Sequence, residues 1–492
     1  MIRSHQKQDY ETVSRSRKPR ATEFSAVQNR FGSKPLESEK AAVIQREQKA
    51  DLSPVNANTF LKPGHVFSYA ALFVFTIVLY ARPAEFYPSP ITNSLALIIG
   101  IVTLACFIAT QISLEGKLTA RPSEVNLVLL FMLTALLSIP LAIDPAAAWH
   151  EFSGAFIRCV VIFVVMVNVV RTPFRLKSLV LMTIVVSIWL SIGALNDYRL
   201  GLTTVEGYRV SGRGDGIFGN PNDMALHLVT VIPLTIALFF VTRRFISRIV
   251  YVVSALVMIS AVILTFSRGG FLGLLVASAF LAYKLGYRRR LTIAVAGVVV
   301  LLTLLALAPG NYPVRLASIF VPSLDPVGSA GMRREILLRS ILTAIRHPLL
   351  GIGMGNFHIV SIHELVTHNA YTQVASELGI AALVIYTMFM VTPLRKLGQI
   401  VSATRVAGRK SNYYYLAIGL QASLLGYMVS SFFASVAYLW YVYYLVAYAV
   451  CLRRMYESET GESVVMKKRH RQVERTADDP PIGESAHHPA IA

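Results

Sequence analysis

Charge is scarce in this sequence. Only 15% of its 492 residues are Asp, Glu, Lys or Arg, where a soluble chain carries roughly a quarter, so a surface that faces water on all sides is excluded. Cysteine is scarcer. Cys106, Cys159 and Cys451 are the only three; each sits inside an apolar run far from the others, which suggests neither a disulfide framework nor a metal cluster. Acidic residues are outnumbered, 27 against 47 basic, for a net charge of +20. In a soluble protein that excess would point to nucleic acid. In a chain this apolar it marks basic loops and tails beside a membrane, and no nucleic-acid partner is expected.

What the chain has in place of charge is apolar sequence: 54% hydrophobic residues and a mean hydropathy of +0.55. Twelve apolar runs occur near 66–81, 92–112, 126–143, 155–170, 177–195, 225–242, 249–266, 270–286, 291–308, 379–394, 413–433 and 435–451. Segments of about 20 such residues cross a bilayer. The pattern predicts an all-α polytopic integral membrane protein of about twelve transmembrane helices, spanning 63–451, with a large periplasmic loop at 309–378 between helices 9 and 10. Residues 1–62 and 452–492 are polar, basic tails expected to be disordered; the first has no apolar core of a signal peptide.

Lys and Arg set the expected orientation. The two tails carry 12 and 7, and alternate short loops at 113–125, 171–177, 243–248, 284–290 and 395–412 carry 2, 3, 3, 4 and 5. These 36 of the 47 basic residues fall on one side, which the positive-inside rule makes cytoplasmic, together with both termini. The other 11 are all arginine, whereas all 13 lysines lie inside. A guanidinium fork takes two oxygens of a phosphate or carboxylate and keeps its charge near lipid, although headgroup anchoring uses the same property.

Two outward segments are long, 196–224 and 309–378, and long loops tend to carry function. The first contains "GYRVSGRGDGIFGNPND", in which Gly, Asn and Pro demand tight turns that hold Arg209 and Arg213 above the membrane. Between two spans, "TFSRGGFLG" leaves Arg268 at the outer membrane boundary beside two glycines, where an ionisable group is costly and a functional candidate. In the second long segment, apolar residues at helical spacing over 332–346 predict an amphipathic helix on the membrane surface, carrying Arg333, Arg334, Arg339 and Arg346. "HPLLGIGMGNF" then breaks it; no strand precedes these glycines, so they are not a dinucleotide fingerprint.

The stretch "HELVTHNAYTQVASELGI" is polar at the mouth of an apolar run. His363 and His368 are five apart, not four, so a zinc-protease helix is rejected. A helix starting near Asn369 would place His368 at its mouth, with Thr372, Ala375 and Gly379 leaving a cavity on one face. A histidine there can serve as general base or hydrogen-bond donor, or simply satisfy a helix end.

Together these segments resemble the O-antigen ligase and polymerase family of bacterial envelope glycosyltransferases, over about 65–450. The resemblance is carried by His368, Asn369 and Gly379; by Arg268 and Leu272; by Arg213, Gly216, Phe218, Asn220, Pro221 and Asn222; and by Arg334, or alternatively Arg333, on the helix before "HPLLGIGMGNF". Ala382 stands three after Gly379, where the family often has Gly, Thr or Tyr.

The resemblance implies an enzyme of the bacterial inner membrane whose active site faces the periplasm. The donor would be a glycan on undecaprenyl diphosphate. The acceptor would be a hydroxyl of a glycolipid such as lipid A–core, of another glycan, or of a protein. No paired carboxylates at convincing spacing and no acidic metal cluster stand out, so no cofactor is expected and a metal-independent, inverting transfer follows. His368, Arg268, Arg213 and Arg334 are the catalytic candidates; Arg209, Arg333, Arg339, Asn369 and Asn222 are the substrate-binding ones. Membrane lipids are expected partners. The rival from another class is a flippase or secondary transporter for lipid-linked oligosaccharide. Against it stand uninterrupted spans, no internal repeat and charge gathered at the outer boundary.

Overall fold

The structure is a computed structural model that describes residues 64–81, 83, 87–202, 209–212, 218–286, 329–406 and 411–461. Its regular elements there are helices. They are α1 (Val66–Ala81), α2 (Pro90–Glu115), α3 (Ser123–Ser138), α4 (Pro145–Glu151), α5 (Ile157–Val169), α6 (Pro173–Arg199), α7 (Pro221–Val241) and α8 (Phe245–Leu264), followed by α9 (Arg268–Leu285), α10 (Ser329–Arg346), α11 (Ala370–Leu378), α12 (Ile380–Val406), α13 (Asn412–Ser430) and α14 (Trp440–Thr460). A π-helical turn, Phe152–Phe156, joins α4 to α5.

Among the described residues, nine helices are long and apolar enough to cross a membrane: α2, α3 with its 3-10 extension, the joined α4–α5, α6, α7, α8, α9, α12 and α13. α1 is apolar but only 16 residues long. α14 is lined with buried aromatics yet ends in charge, and it runs on to Thr460, past the boundary expected at 451. The run at 291–308 lies outside the described residues, as do residues 1–62, 309–328 and 462–492.

The bundle centres on α7, α9 and α13. Small residues let these helices approach closely, as membrane helices require. A Cβ added to Gly270 would stand 2.6 Å from the Ala225 Cβ, and one on Gly273 would stand 2.0 Å from Ser430 Oγ. The glycines after Arg268 therefore serve helix contact. Asn220 caps α7 by accepting from the Asn222 amide at 2.8 Å, with Pro221 at the first helical position, so "NPN" is a helix start.

The two ends of the bundle differ. At one end, loops 113–125, 171–177 and 395–412 meet in buried ion pairs. Arg453 Nη1 and Nη2 donate to the Glu124 carboxylate at 3.2 and 3.1 Å, Lys396 Nζ lies 3.1 Å from it, and Arg171 pairs with Glu115. At the other end, α11 and the glycine loop (347–357) share the wall of a cavity with Asn222 and Asp223 at the start of α7.

Candidate active site

α11 is a nine-residue helix with built-in ends. Asn369 caps it, its Oδ1 accepting from the amides of Tyr371 at 2.9 Å and Thr372 at 3.1 Å. Gly379 ends it at φ 89°, ψ 173°. There a Cβ would stand 2.4 Å from the Leu349 carbonyl oxygen and 2.8 Å from that of Pro348, which itself accepts from the Ile380 amide at 2.8 Å. The glycine loop locks on at the same point: the amides of Ile352 and Gly353 donate to the Ser376 and Glu377 carbonyls at 3.0 and 2.9 Å. Gly351 cannot carry a side chain, because its Cβ would stand 2.2 Å from the Glu377 carbonyl carbon. Asn356, fully buried, donates to the Asp144 carbonyl at 3.1 Å and so ties the loop to α4.

The face of α11 bearing Thr372, Ala375 and Gly379 was expected to leave the cavity. It does not, because Gly379 is closed by the backbone of 348–349. The cavity, about 260 Å³, opens instead beside Gln373 and Glu377, which share a face one turn apart. His368, Asn222, Asp223, Glu151 and Ser435 are also in its wall.

His368 holds its backbone in the left-handed region, φ 51°, and its amide donates to Ser435 Oγ at 2.8 Å. A non-glycine residue in that region is strained, and such strain clusters at functional sites. Burial first, then the Arg333 charge, lowers the His368 pKa to about 4, so its imidazole is neutral at pH 7. Glu377 moves the opposite way. Burial, aided by Glu151, raises it to about 7 against the pull of the Gly355 and Phe357 amides and the Tyr438 hydroxyl. Although that hydroxyl is close enough to influence Glu377, Tyr438 Oη and Glu377 Oε2 make no hydrogen bond of good geometry and both are buried.

Arg209 reaches the cavity wall indirectly. Its Nη2 donates to Asn222 Oδ1 at 2.9 Å, and its Nε donates to the Thr265 carbonyl at 2.9 Å. Arg268 follows three residues after Thr265 and is 8% exposed at the start of α9. Of the two arginines weighed on α10, Arg333 is half-buried and acts on His368, whereas Arg334 is exposed. Arg339 pairs with Glu335 at 3.4 Å and lines, with Arg346, a second cavity of about 280 Å³. The Asn369 side-chain oxygen is taken by capping, while its Nδ2 is buried without a partner. Arg213 lies outside the described residues.

The family model described as O-antigen ligase matches residues 253–387. This segment belongs to the O-antigen ligase family. No curated protein matches the sequence. The O-antigen ligase segment contains Arg268, Arg333, Arg334, Arg339, His368, Asn369 and Gly379, while Arg209 and Asn222 join its cavity from outside it.

Sequence spacing showed no paired carboxylates, yet the cavity gathers three, Glu151, Asp223 and Glu377, from α4, α7 and α11. The lone signal for Glu377 was its place four residues after Gln373 on a polar face. The three carboxylates do not converge as metal ligands do; no such group of His, Cys, Asp or Glu occurs among the described residues.

Gly379→Ala tests the scaffold of the O-antigen ligase segment. Its backbone region is open to glycine almost alone, so the substitution costs about 1–3 kcal/mol before the overlap with two carbonyl oxygens is counted. The expected result is a lower unfolding temperature in detergent together with loss of activity. An unchanged transition would show that the α11 terminus tolerates a side chain.

Proposed function

We propose that the protein is a glycosyltransferase that moves a glycan from undecaprenyl diphosphate to a hydroxyl acceptor at the periplasmic face of the inner membrane. Lipid A–core is the acceptor favoured by the His-Asn spacing, and a growing glycan or a protein hydroxyl is the alternative. The observation that carries this reading is the meeting of separate motifs in one place. His368 and Asn222 share a cavity, and the Arg209 hydrogen bonds link Asn222 to the turn that presents Arg268.

In this mechanism the acceptor oxygen attacks the anomeric carbon and the lipid diphosphate leaves. Negative charge grows on the departing oxygen, and fixed donors aimed at developing charge are the strongest catalytic device available. Arg268, with Arg213 and one α10 arginine, supplies it; Arg333, whose charge reaches His368, fits that place better than the exposed Arg334. Arginine holds phosphate oxygens in pairs and keeps its charge at any physiological pH. No divalent cation is required when guanidinium groups carry this load, so activity is expected to persist in a chelator.

Neutral His368 orients the acceptor hydroxyl. His368→Ala is expected to lower kcat/KM roughly 10²-fold while donor binding survives; an unchanged kcat/KM would remove His368 from the site. Consumption of lipid-linked glycan by purified protein in detergent, with no gradient, separates an enzyme from a transporter. A protein that only moves the lipid would consume none.

A further inference from the structure

Glu377 has an unusual setting. The residue is 3% exposed and lines the cavity beside His368, and its Oε2 is sealed from solvent with no hydrogen-bond partner. A buried acceptor atom left unpaired is costly, the more so when charged. A carboxylate so placed favours taking up a proton, and a sugar hydroxyl in the adjoining cavity brings one where a phosphate oxygen does not. At about 260 Å³ the cavity is smaller than most ligand pockets and suits one terminal unit of an acceptor, not a chain.

Resting on the transfer reading above, we infer that Glu377 is the general base, its carboxylate taking the proton of the acceptor hydroxyl that His368 orients. As the acceptor oxygen bonds to the anomeric carbon, the bond from that carbon to the diphosphate oxygen breaks. Its electron pair leaves with the diphosphate, and the hydroxyl proton passes to the Glu377 carboxylate, which ends as a neutral carboxylic acid. His368, held near pKa 4, is too weak a base at neutral pH, whereas Glu377, near 7, matches the task. The charged and titratable groups around Glu377 come from every side: Glu151 on α4, Asp223 on α7, Tyr438 before α14, and His358 and His368 on the connections that flank it.

The test measures kcat/KM against pH for the purified full-length protein with a polyprenyl-diphosphate-linked glycan and a hydroxyl acceptor. The wild type is expected to lose activity below an apparent pKa of about 7. Glu377→Gln should lower kcat by about 10²–10⁴ with donor binding retained. Glu151→Gln removes a repelling charge and should move the acid limb to lower pH. Tyr438→Phe removes a group that favours the carboxylate and should move it to higher pH. Should Glu377→Gln fail to fold, the two opposed shifts decide. Activity of Glu377→Gln within a few-fold of wild type, or an acid limb that stays fixed in both neighbours, overturns the inference. If only the Glu377 variants stay active, the transfer reading stands without it; if Arg268→Ala and His368→Ala are also fully active, the transfer reading fails.

Discussion

Replacing Arg268 with Ala is expected to lower kcat for the proposed glycan transfer by about 10²–10³-fold and to leave the protein inserted in the membrane. Arg268 opens α9 directly after the turn whose Thr265 carbonyl accepts from Arg209. The same Arg209 holds Asn222 in the cavity wall. In the proposed transfer, a cation placed by a helix start and a hydrogen-bonded turn would meet the departing diphosphate without reorganising, in surroundings where water screens it little. Lysine would recover little, because a compact ammonium cannot grip two phosphate oxygens in a plane. The check is transfer rate at saturating donor, with the amount of variant in membranes measured in parallel. A fully active Arg268→Ala would take this residue out of the site.

At the far end of the bundle, Glu124→Ala is expected to cost about 3–5 kcal/mol of stability. Glu124 is wholly buried and is the shared partner of Arg453 and Lys396. Removing it strands two cations where desolvation is expensive, and the loss exceeds the net worth of the pairs themselves. Three segments separate if this contact goes: the start of α3, the middle of α12 and the end of α14. A large fall in unfolding temperature in detergent is predicted, with donor affinity unchanged in whatever protein remains folded. A change within a degree would show that the cations find other partners.

Much of the fold was legible because its signals are local. Of the twelve apolar runs, nine match helices long enough to span among the described residues, and the start and stop of α11 can be read as Asn369 and Gly379. The tight α8–α9 turn that presents Arg268 was equally plain in "TFSRGG". The 332–346 periodicity, carried by Ile336, Leu337, Ile341, Leu342 and Ile345, matched α10, although only Ile336 of these is buried, against Ile352 and Phe357; Ile341, Leu342 and Ile345 are exposed.

The acidic side of the cavity was hidden for the opposite reason. Glu151, Asp223 and Glu377 come from three helices far apart in sequence, and nothing in their spacing announces a shared wall. Backbone contact is equally silent. The glycines of "GIGMGNF" read as a break, yet Gly351 is shaped by its pressure against the Glu377 carbonyl. The motif of His-Asn, nine residues, then Gly likewise mixes one residue facing the cavity with two that build the helix behind it.

The configuration of the newly formed glycosidic bond tests the central claim most directly. In a single displacement the hydroxyl attacks from the face opposite the diphosphate, and Glu377 only receives a proton. NMR of the product should then show the anomeric configuration inverted relative to the donor linkage. A retained configuration would mean two displacements through a glycosyl-enzyme, with a cavity carboxylate as nucleophile, and would contradict the account.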